Sequence, residues 1–314
     1  MHVLILGGLG YTGSLLTSKL LLDGFKVTVL DTEWFGDHLK IKNKNFKKIK
    51  ADIREINKIS FRQIDKVVHL ANIANDPSVD LNQNLSWEVN VLATKTILEK
   101  CIDANVKHFV YASSGSVYGI KREKKVTENL SLKPISTYNK TKMISERVIE
   151  SYKDHIKYHI IRPATVCGIS PRMRFDVTVN MFVYQAFKKS FIEIHGGNQI
   201  RPNINIKDLT NIYRHFLIND NLKSGIFNAG FENLSILQIA KKIQKITNCK
   251  IKIKKNILDQ RSYRQDSTKL LSTGFKREFS VSDAINELVY NFKEKNLKVI
   301  EQNFTVKFMK KLGL

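Results

Sequence analysis

The sequence predicts an α/β fold: a doubly wound parallel sheet with a smaller, discontinuous C-terminal cap. Three observations predict it. Apolar runs of strand length alternate with amphipathic helical stretches through the first half of the chain. A glycine-rich turn, Gly7-Gly8-Leu9-Gly10-Tyr11-Thr12-Gly13, follows the first run directly. The alternation then loosens after Arg162, where shorter elements follow.

His2–Leu6 is an unbroken apolar run, the pattern of a strand buried on both faces. After it, Gly7 lets the chain turn tightly. Gly10 lets backbone amides approach a diphosphate, and Gly13 lets the next helix pack close to the strand. That helix, roughly Ser14 to Leu22, has a core face of Leu15, Leu16, Leu20 and Leu21. Its N-terminus, with Tyr11 and Thr12, carries the partial positive charge an anion needs. Together these features make a Rossmann-type dinucleotide site.

The second strand, Lys26–Leu30, ends at Asp31. A carboxylate there accepts hydrogen bonds from an adenosine ribose diol and repels a 2′-phosphate, which argues for NAD over NADP. The third strand is Phe46–Ile49. Asp52 and Ile53 follow it, either bordering the adenine or, for Asp52, as a surface carboxylate. Further strands are expected at Lys66–Leu70, His108–Ala112 and Tyr158–Ile161, with helices near Trp87–Asp103 and Thr137–Tyr152.

Beyond Arg162, Phe175–Lys189 reads as an amphipathic helix and Phe191–His195 as a short strand. Asn203–Ile206 and Ile226–Asn228 read as returns to the main sheet. Ser235–Thr247 is a helix with Ile236, Ile239, Ala240, Ile243 and Ile246 on one face, and Lys250–Lys254 alternates like a half-exposed strand. The end, from Val281, reads as helix with a basic tail. The expected division is a cofactor domain over 1–166, with returns near 203–230, and a substrate-binding cap over 167–314.

A chain of 314 residues with 42% hydrophobic content can bury a sizeable core. No residues precede the first strand, so no secretory signal is expected, and no apolar run approaches the roughly 20 residues of a membrane span. Cys101, Cys167 and Cys249 lack metal or disulfide spacing, which suits a reduced, cytoplasmic setting. His155 and His159 have no third ligand beside them, so no metal is expected. The net charge of +23 is mostly Lys spread along the chain, without a nucleic-acid-binding motif. It reads as compositional bias, with some capacity to steer an anionic small substrate. A homo-oligomer, dimer or tetramer, is expected.

The chemistry falls on two further motifs. Ser113-Ser114-Gly115-Ser116 ends the strand at His108–Ala112, and Tyr138-Asn139-Lys140-Thr141-Lys142 opens a helix. Tyr138 and Lys142 are four apart and project from one helical face. An unperturbed Tyr, with a pKa near 10, is too weakly acidic to serve as a base at neutral pH. A neighbouring ammonium and a positive nicotinamide ring both favour the phenolate. Ser114 stands where such sheets place substrate contacts.

With Gly7-x-x-Gly10-x-x-Gly13 and Tyr138-x-x-x-Lys142 in order, nearly the whole chain resembles the extended short-chain dehydrogenase/reductases of the nucleotide-sugar epimerase/dehydratase family. The resemblance implies catalytic roles for Ser114, Tyr138 and Lys142, with Tyr138 and Lys142 also touching NAD. Leu70-Ala71-Asn72 matches the segment along the cofactor, so Leu70 and Ala71 are implied contacts. Asn90 matches a helix position whose amide ties neighbouring strands. Arg162-Pro163-Ala164-Thr165-Val166-Cys167-Gly168 matches the strand into the cap, with Cys167 where Tyr is usual. Asn180 matches a substrate-side Asn, and Ser116 is an implied substrate contact. Gly196-Gly197-Asn198-Gln199-Ile200-Arg201-Pro202 matches a phosphate-binding segment, so Arg201 and, from Asp259–Arg264, Arg261 are implied diphosphate cations; bidentate Arg suits that anion.

Within the family, 4,6-dehydratases and decarboxylases carry an extra Asp or Glu in the triplet matching Ser114-Gly115-Ser116, and 3,5-epimerase/reductases carry a Cys at Ser116. Here neither is present. Oxidation and reduction at one carbinol, carbon 4 of the sugar, remains. The segments Asp31–Gly36, Pro171–Asp176 and Arg261–Arg264 resemble bacterial capsule and lipopolysaccharide enzymes, GDP-manno-heptose 4-dehydrogenases most of all. The expectation is therefore an NAD-dependent 4-dehydrogenase of a GDP-linked hexose or heptose. A 4-epimerase using bound NAD is the alternative. A non-enzymatic NAD sensor is a third reading, disfavoured because Tyr138 and Lys142 are both present.

Overall fold

The computed structural model describes residues 1–255 and 262–314. The first half alternates as the apolar runs require: β1 (His2–Leu6), α1 (Tyr11–Leu22), β2 (Lys26–Asp31), β3 (Phe46–Lys50), β4 (Lys66–His69), short α2 (Asp76–Val79) and α3 (Gln83–Trp87), α4 (Ala93–Asp103), β5 (His108–Ala112), α5 (Thr137–Ser151) and β6 (Lys157–Pro163). A π turn, Glu88–Leu92, joins α3 to α4. The helical stretch expected from Trp87 thus begins earlier, because the Asn82 side chain caps α3 through Leu85 N–H.

The second half contains β7 (Thr165–Cys167), α6 (Thr178–Lys189), β8 (Phe191–His195), β9 (Ile200–Asn205), α7 (Ile206–Ile218), β10 (Gly225–Ala229), β11 (Glu232–Ser235), α8 (Ile236–Thr247), β12 (Lys250–Lys254), α9 (Thr268–Leu271), α10 (Val281–Glu294) and α11 (Thr305–Lys311).

Seven strands form the main sheet in the order β10-β6-β5-β4-β1-β2-β3, all parallel. Strand order reverses at β1, between β2 and β4, and a crevice opens beyond the carboxyl ends there. One face is covered by α4 and α5, the other by α1 and α7. A third core, from α6, β8, α8 and α10, fills the cap. The last helix does not stay in the cap: Met309 is 2% exposed and packs into the core of the α4/α5 face.

One expected return to the main sheet is corrected. β9 pairs instead with β7 and β11 in a separate three-stranded sheet, and only β10 rejoins the main sheet beside β6. Pro163, which has no N–H to donate, is the last residue of β6. The chain leaves the sheet there, and β7 carries β9 into the cap. β8 and β12 form a parallel pair of their own. Among the described residues, no helix is long and apolar enough to cross a membrane.

Candidate active site

The glycine turn is dictated by close approach. Gly7 has φ of +80°, and a methyl group there would stand 2.6 Å from Ala71 N. A methyl at Gly13 would stand 2.3 Å from Gly7 O, so α1 can pack this tightly only without a side chain. Gly10 is the N-cap of α1, with no side-chain cap bond and no acid in the first turn. The helix start therefore faces the cleft, which Gly7, Gly10, Tyr11, Thr12 and Gly13 all line. This cradle fits a diphosphate.

Asp31 closes one end of the crevice. Its oxygens accept from Leu9 N–H at 3.0 Å and Glu33 N–H at 2.9 Å. Burial pushes its carboxyl upward against these two bonds. Asp31 shares a pocket with Trp34, Phe35, Asp52, Ile53, Leu70 and Ala71. Asp52 is committed mainly to Arg54: it accepts from the backbone N–H and pairs with the guanidinium, each at 2.8 Å. Burial opposes its charge, but Arg54 outweighs burial and holds the carboxyl below its usual range.

Asn90 does not tie strands together. Its amide bonds Ile73 N–H (2.8 Å), Ile73 O (3.2 Å) and Thr141 Oγ1 (3.1 Å), so it ties the loop after β4 to α5.

At the end of β5, Ser114 caps a 3₁₀ turn, Gly115–Tyr118. Its Oγ accepts from Ser116 N–H at 3.1 Å and lies 2.7 Å from Ser116 Oγ. Ser114, Ser116 and Tyr138 line the same cleft. Lys142, one turn beyond Tyr138, is 1% exposed. Its ammonium donates to Ala112 O at 2.7 Å and Tyr111 OH at 3.2 Å. Burial pushes its pKa down to about 7, with Glu146 opposing.

Sequence reasoning missed the support beneath this site. Glu146 accepts from Ser113 Oγ, and Arg162 grips both its oxygens, at 3.0 and 2.7 Å. Arg162 also donates to Tyr118 OH at 2.7 Å. The ion pair thus holds both ends of Ser113–Tyr118, with Ser114 and Ser116 between them. The available signal was Glu146 itself, four residues after Lys142 on the same helical face.

On the cap side, Arg201 sits in β9 and lines the cleft. Asn180 is corrected. It is fully buried, and its amide accepts from Gly168 N–H (3.0 Å) and donates to Tyr11 OH and Arg174 O (both 2.9 Å). These bonds pin the cap loop to Tyr11, whose hydroxyl donates to Gly168 O at 2.7 Å. Asn180 therefore has no cleft-facing surface, and Tyr11 serves as an anchor as well as a wall. Arg261 lies outside the described residues. Arg172, Arg174, Asp176 and Tyr263, from segments noted above only for their resemblance and not as site residues, also line the cleft. The cleft runs continuously from the glycine turn past Ser114 and Tyr138 to Arg201 of the cap.

A Rossmann cradle beside a Ser–Tyr–Lys group defines an NAD-dependent enzyme of the short-chain dehydrogenase/reductase class. Residues 3–230 match the NAD dependent epimerase/dehydratase family, and the chain belongs to it. It is similar to a UDP-glucose 4-epimerase of Lactobacillus helveticus, 30% identical over 272 residues, covering 77% of this chain and 82% of that protein. It is similar to a UDP-glucuronic acid decarboxylase of Danio rerio, 27% identical over 78% of this chain and 60% of that one. Among solved structures, UDP-glucuronic acid 4-epimerase from Bacillus cereus, in complex with UDP-glucuronic acid and NAD, superposes with a TM-score of 0.83. It is 26% identical and covers 94% of this chain and 100% of that one. UDP-glucose 4-epimerase from Thermotoga maritima shares the fold, with a TM-score of 0.86 at 24% identity, covering 95% and 100%. The protein is an enzyme acting on nucleotide sugars, and its cofactor is NAD.

Proposed function

We propose that this enzyme oxidises and re-reduces carbon 4 of a nucleoside-diphosphate sugar, acting as a 4-epimerase on a UDP-linked substrate. One observation carries the reading. A methyl group at Gly115 would stand 3.1 Å from Tyr263 OH and 3.2 Å from the Gln265 amide. The position between Ser114 and Ser116 is thus closely walled and carries no carboxylate, so the second acid/base that elimination needs is not supplied there. The relatives named above, UDP-sugar enzymes of which all but the decarboxylase are 4-epimerases, support the choice of UDP and of epimerisation.

In this mechanism Ser114 and Tyr138 hold the sugar 4-hydroxyl. Tyr138, as phenolate, takes its proton. Lys142 favours the phenolate by its charge. NAD, when bound, accepts and returns the hydride. Arg201 grips the substrate diphosphate, and epimerisation requires the keto sugar to turn and present its other face before the hydride returns.

The GDP-linked hexose or heptose 4-dehydrogenase reading rests on the likeness of Asp31–Gly36 and Pro171–Asp176 to capsule and lipopolysaccharide enzymes. One experiment separates the two: incubation of the NAD-loaded enzyme with UDP-, GDP-, dTDP- and CDP-sugars, following NADH absorbance and product NMR. A 4-epimer of a UDP-sugar without net NADH supports epimerisation. A keto sugar with stoichiometric NADH from a GDP-sugar replaces it with dehydrogenation. Loss of water, or deuterium entering at carbon 5 in heavy water, refutes both.

A further inference from the structure

Segment 299–314 leaves the cap, crosses the cleft and docks on the cofactor half of the molecule. Thr305, Val306 and Met309 of this segment line the cleft opposite the glycine turn. Phe308 packs on Phe35, a wall of the adenine-side pocket, with ring centroids 6.1 Å apart. Asn303 receives Phe175 N–H at 2.9 Å, and Thr305 N–H donates to Asp176 at 3.0 Å, so the segment is bonded to the loop before α6.

Arg172 joins the two sides. Its backbone N–H donates to Ser14 Oγ of α1 at 3.3 Å. Its guanidinium lies over the Phe35 ring at 4.2 Å and donates to Thr305 Oγ1 at 3.1 Å and Gln302 O at 3.3 Å. The side chain is 3% exposed; among the described residues its Nε–H has no partner and no carboxylate hydrogen-bonds it. A buried guanidinium without a bonded counter-ion is costly. Burial and the neighbouring Arg174 disfavour its charge, and the nearby Asp176 and Asp31 carboxylates offset this only in part. It lines the cleft with Gly10, Tyr11 and Thr12, where the diphosphate of a dinucleotide belongs. An anion there would supply a hydrogen-bonded counter-charge.

We propose that segment 299–314 is part of the cofactor site: it holds Arg172 against the cofactor diphosphate and sets how slowly NAD leaves. The segment would then be the retaining wall of the dinucleotide. Slow release suits a reaction in which the hydride returns to the same sugar. The inference rests on NAD as cofactor and not on the choice of sugar.

The test needs no sugar. Wild type, Arg172→Met, Phe308→Ala and a chain ending at Lys298 are loaded with NADH and chased with excess NAD, and loss of bound NADH fluorescence gives the dissociation rate. Circular dichroism and thermal unfolding check folding. Release should be about tenfold faster or more in each folded variant, the change appearing in the off-rate. Binding of ADP-ribose should weaken in Arg172→Met while binding of adenosine is unchanged, a difference that general loosening would not produce. If the shortened chain does not fold, the two point variants decide. Wild-type release rates in folded Arg172→Met and Phe308→Ala overturn the proposal, whatever sugar the enzyme is later found to use.

Discussion

Arg162 and Glu146 form a bidentate ion pair, 2% and 1% exposed, beneath the segment that presents Ser114. Neither side chain lines the cleft, yet their partners Ser113 and Tyr118 bracket it. Removing one member strands the other charge in a dry site. Glu146→Gln should therefore destabilise the protein by about 3–5 kcal/mol, whereas the double replacement Glu146→Leu with Arg162→Met should cost much less. Urea unfolding of the three proteins checks this; equal losses in single and double variants would disprove the coupling.

Lys142 gives a pH signature. Its pKa falls from 10.5 in the unfolded chain to about 7 in the folded one, because burial disfavours the ammonium. Between these values the unfolded state binds the extra proton, so stability rises with pH from about 7 to 10.5 on this account. Below about 7 the penalty is fully present and constant. Lys142→Met removes the dependence. In cofactor-free protein, the stability difference between variant and wild type should shrink as pH rises through this window, by denaturant titration; a flat difference would exclude the shift.

Tyr138→Phe keeps the ring and removes the proton acceptor. NAD and sugar should still bind, while turnover falls by about a hundredfold or more. Stopped-flow hydride transfer on the NAD-loaded enzyme reads this directly, and near-normal transfer would take Tyr138 out of the mechanism.

Asp31 lines the pocket beside the glycine turn, and on the proposed reading its carboxylate would repel a 2′-phosphate there. Asp31→Ala should weaken NAD and narrow its advantage over NADP. Calorimetric titration with both dinucleotides measures the gap. Equal affinity in the wild type would show that Asp31 does not discriminate.

Arg201 reaches the cleft from the cap. Arg201→Ala should raise the KM for the nucleotide sugar with little change in NAD affinity, because it touches one ligand only. Unchanged affinity for a nucleoside diphosphate would remove it from the substrate site.

Local patterns determined much of this protein. Short, mostly apolar strand runs, a glycine turn with no room for a methyl group, and two side chains one helical turn apart are short-range facts. They brought Gly10, Asp31, Ser114 and Tyr138 to one sheet edge, as their spacing implied. What depends on distant partners was not legible. β9 alternates like any strand, and nothing in its own residues announces that its partners are β7 and β11 rather than a strand of the main sheet. Asn180 carries a cleft-type side chain, yet Tyr11, 169 residues away, consumes its amide. Arg172 and Thr305 are 133 residues apart, and nothing in either neighbourhood announces that they meet over the cofactor cleft. Periodicity and turn chemistry act over a few residues, whereas the pairing of strands, the satisfaction of buried polar groups and the return of the last helix are settled only when the whole chain packs.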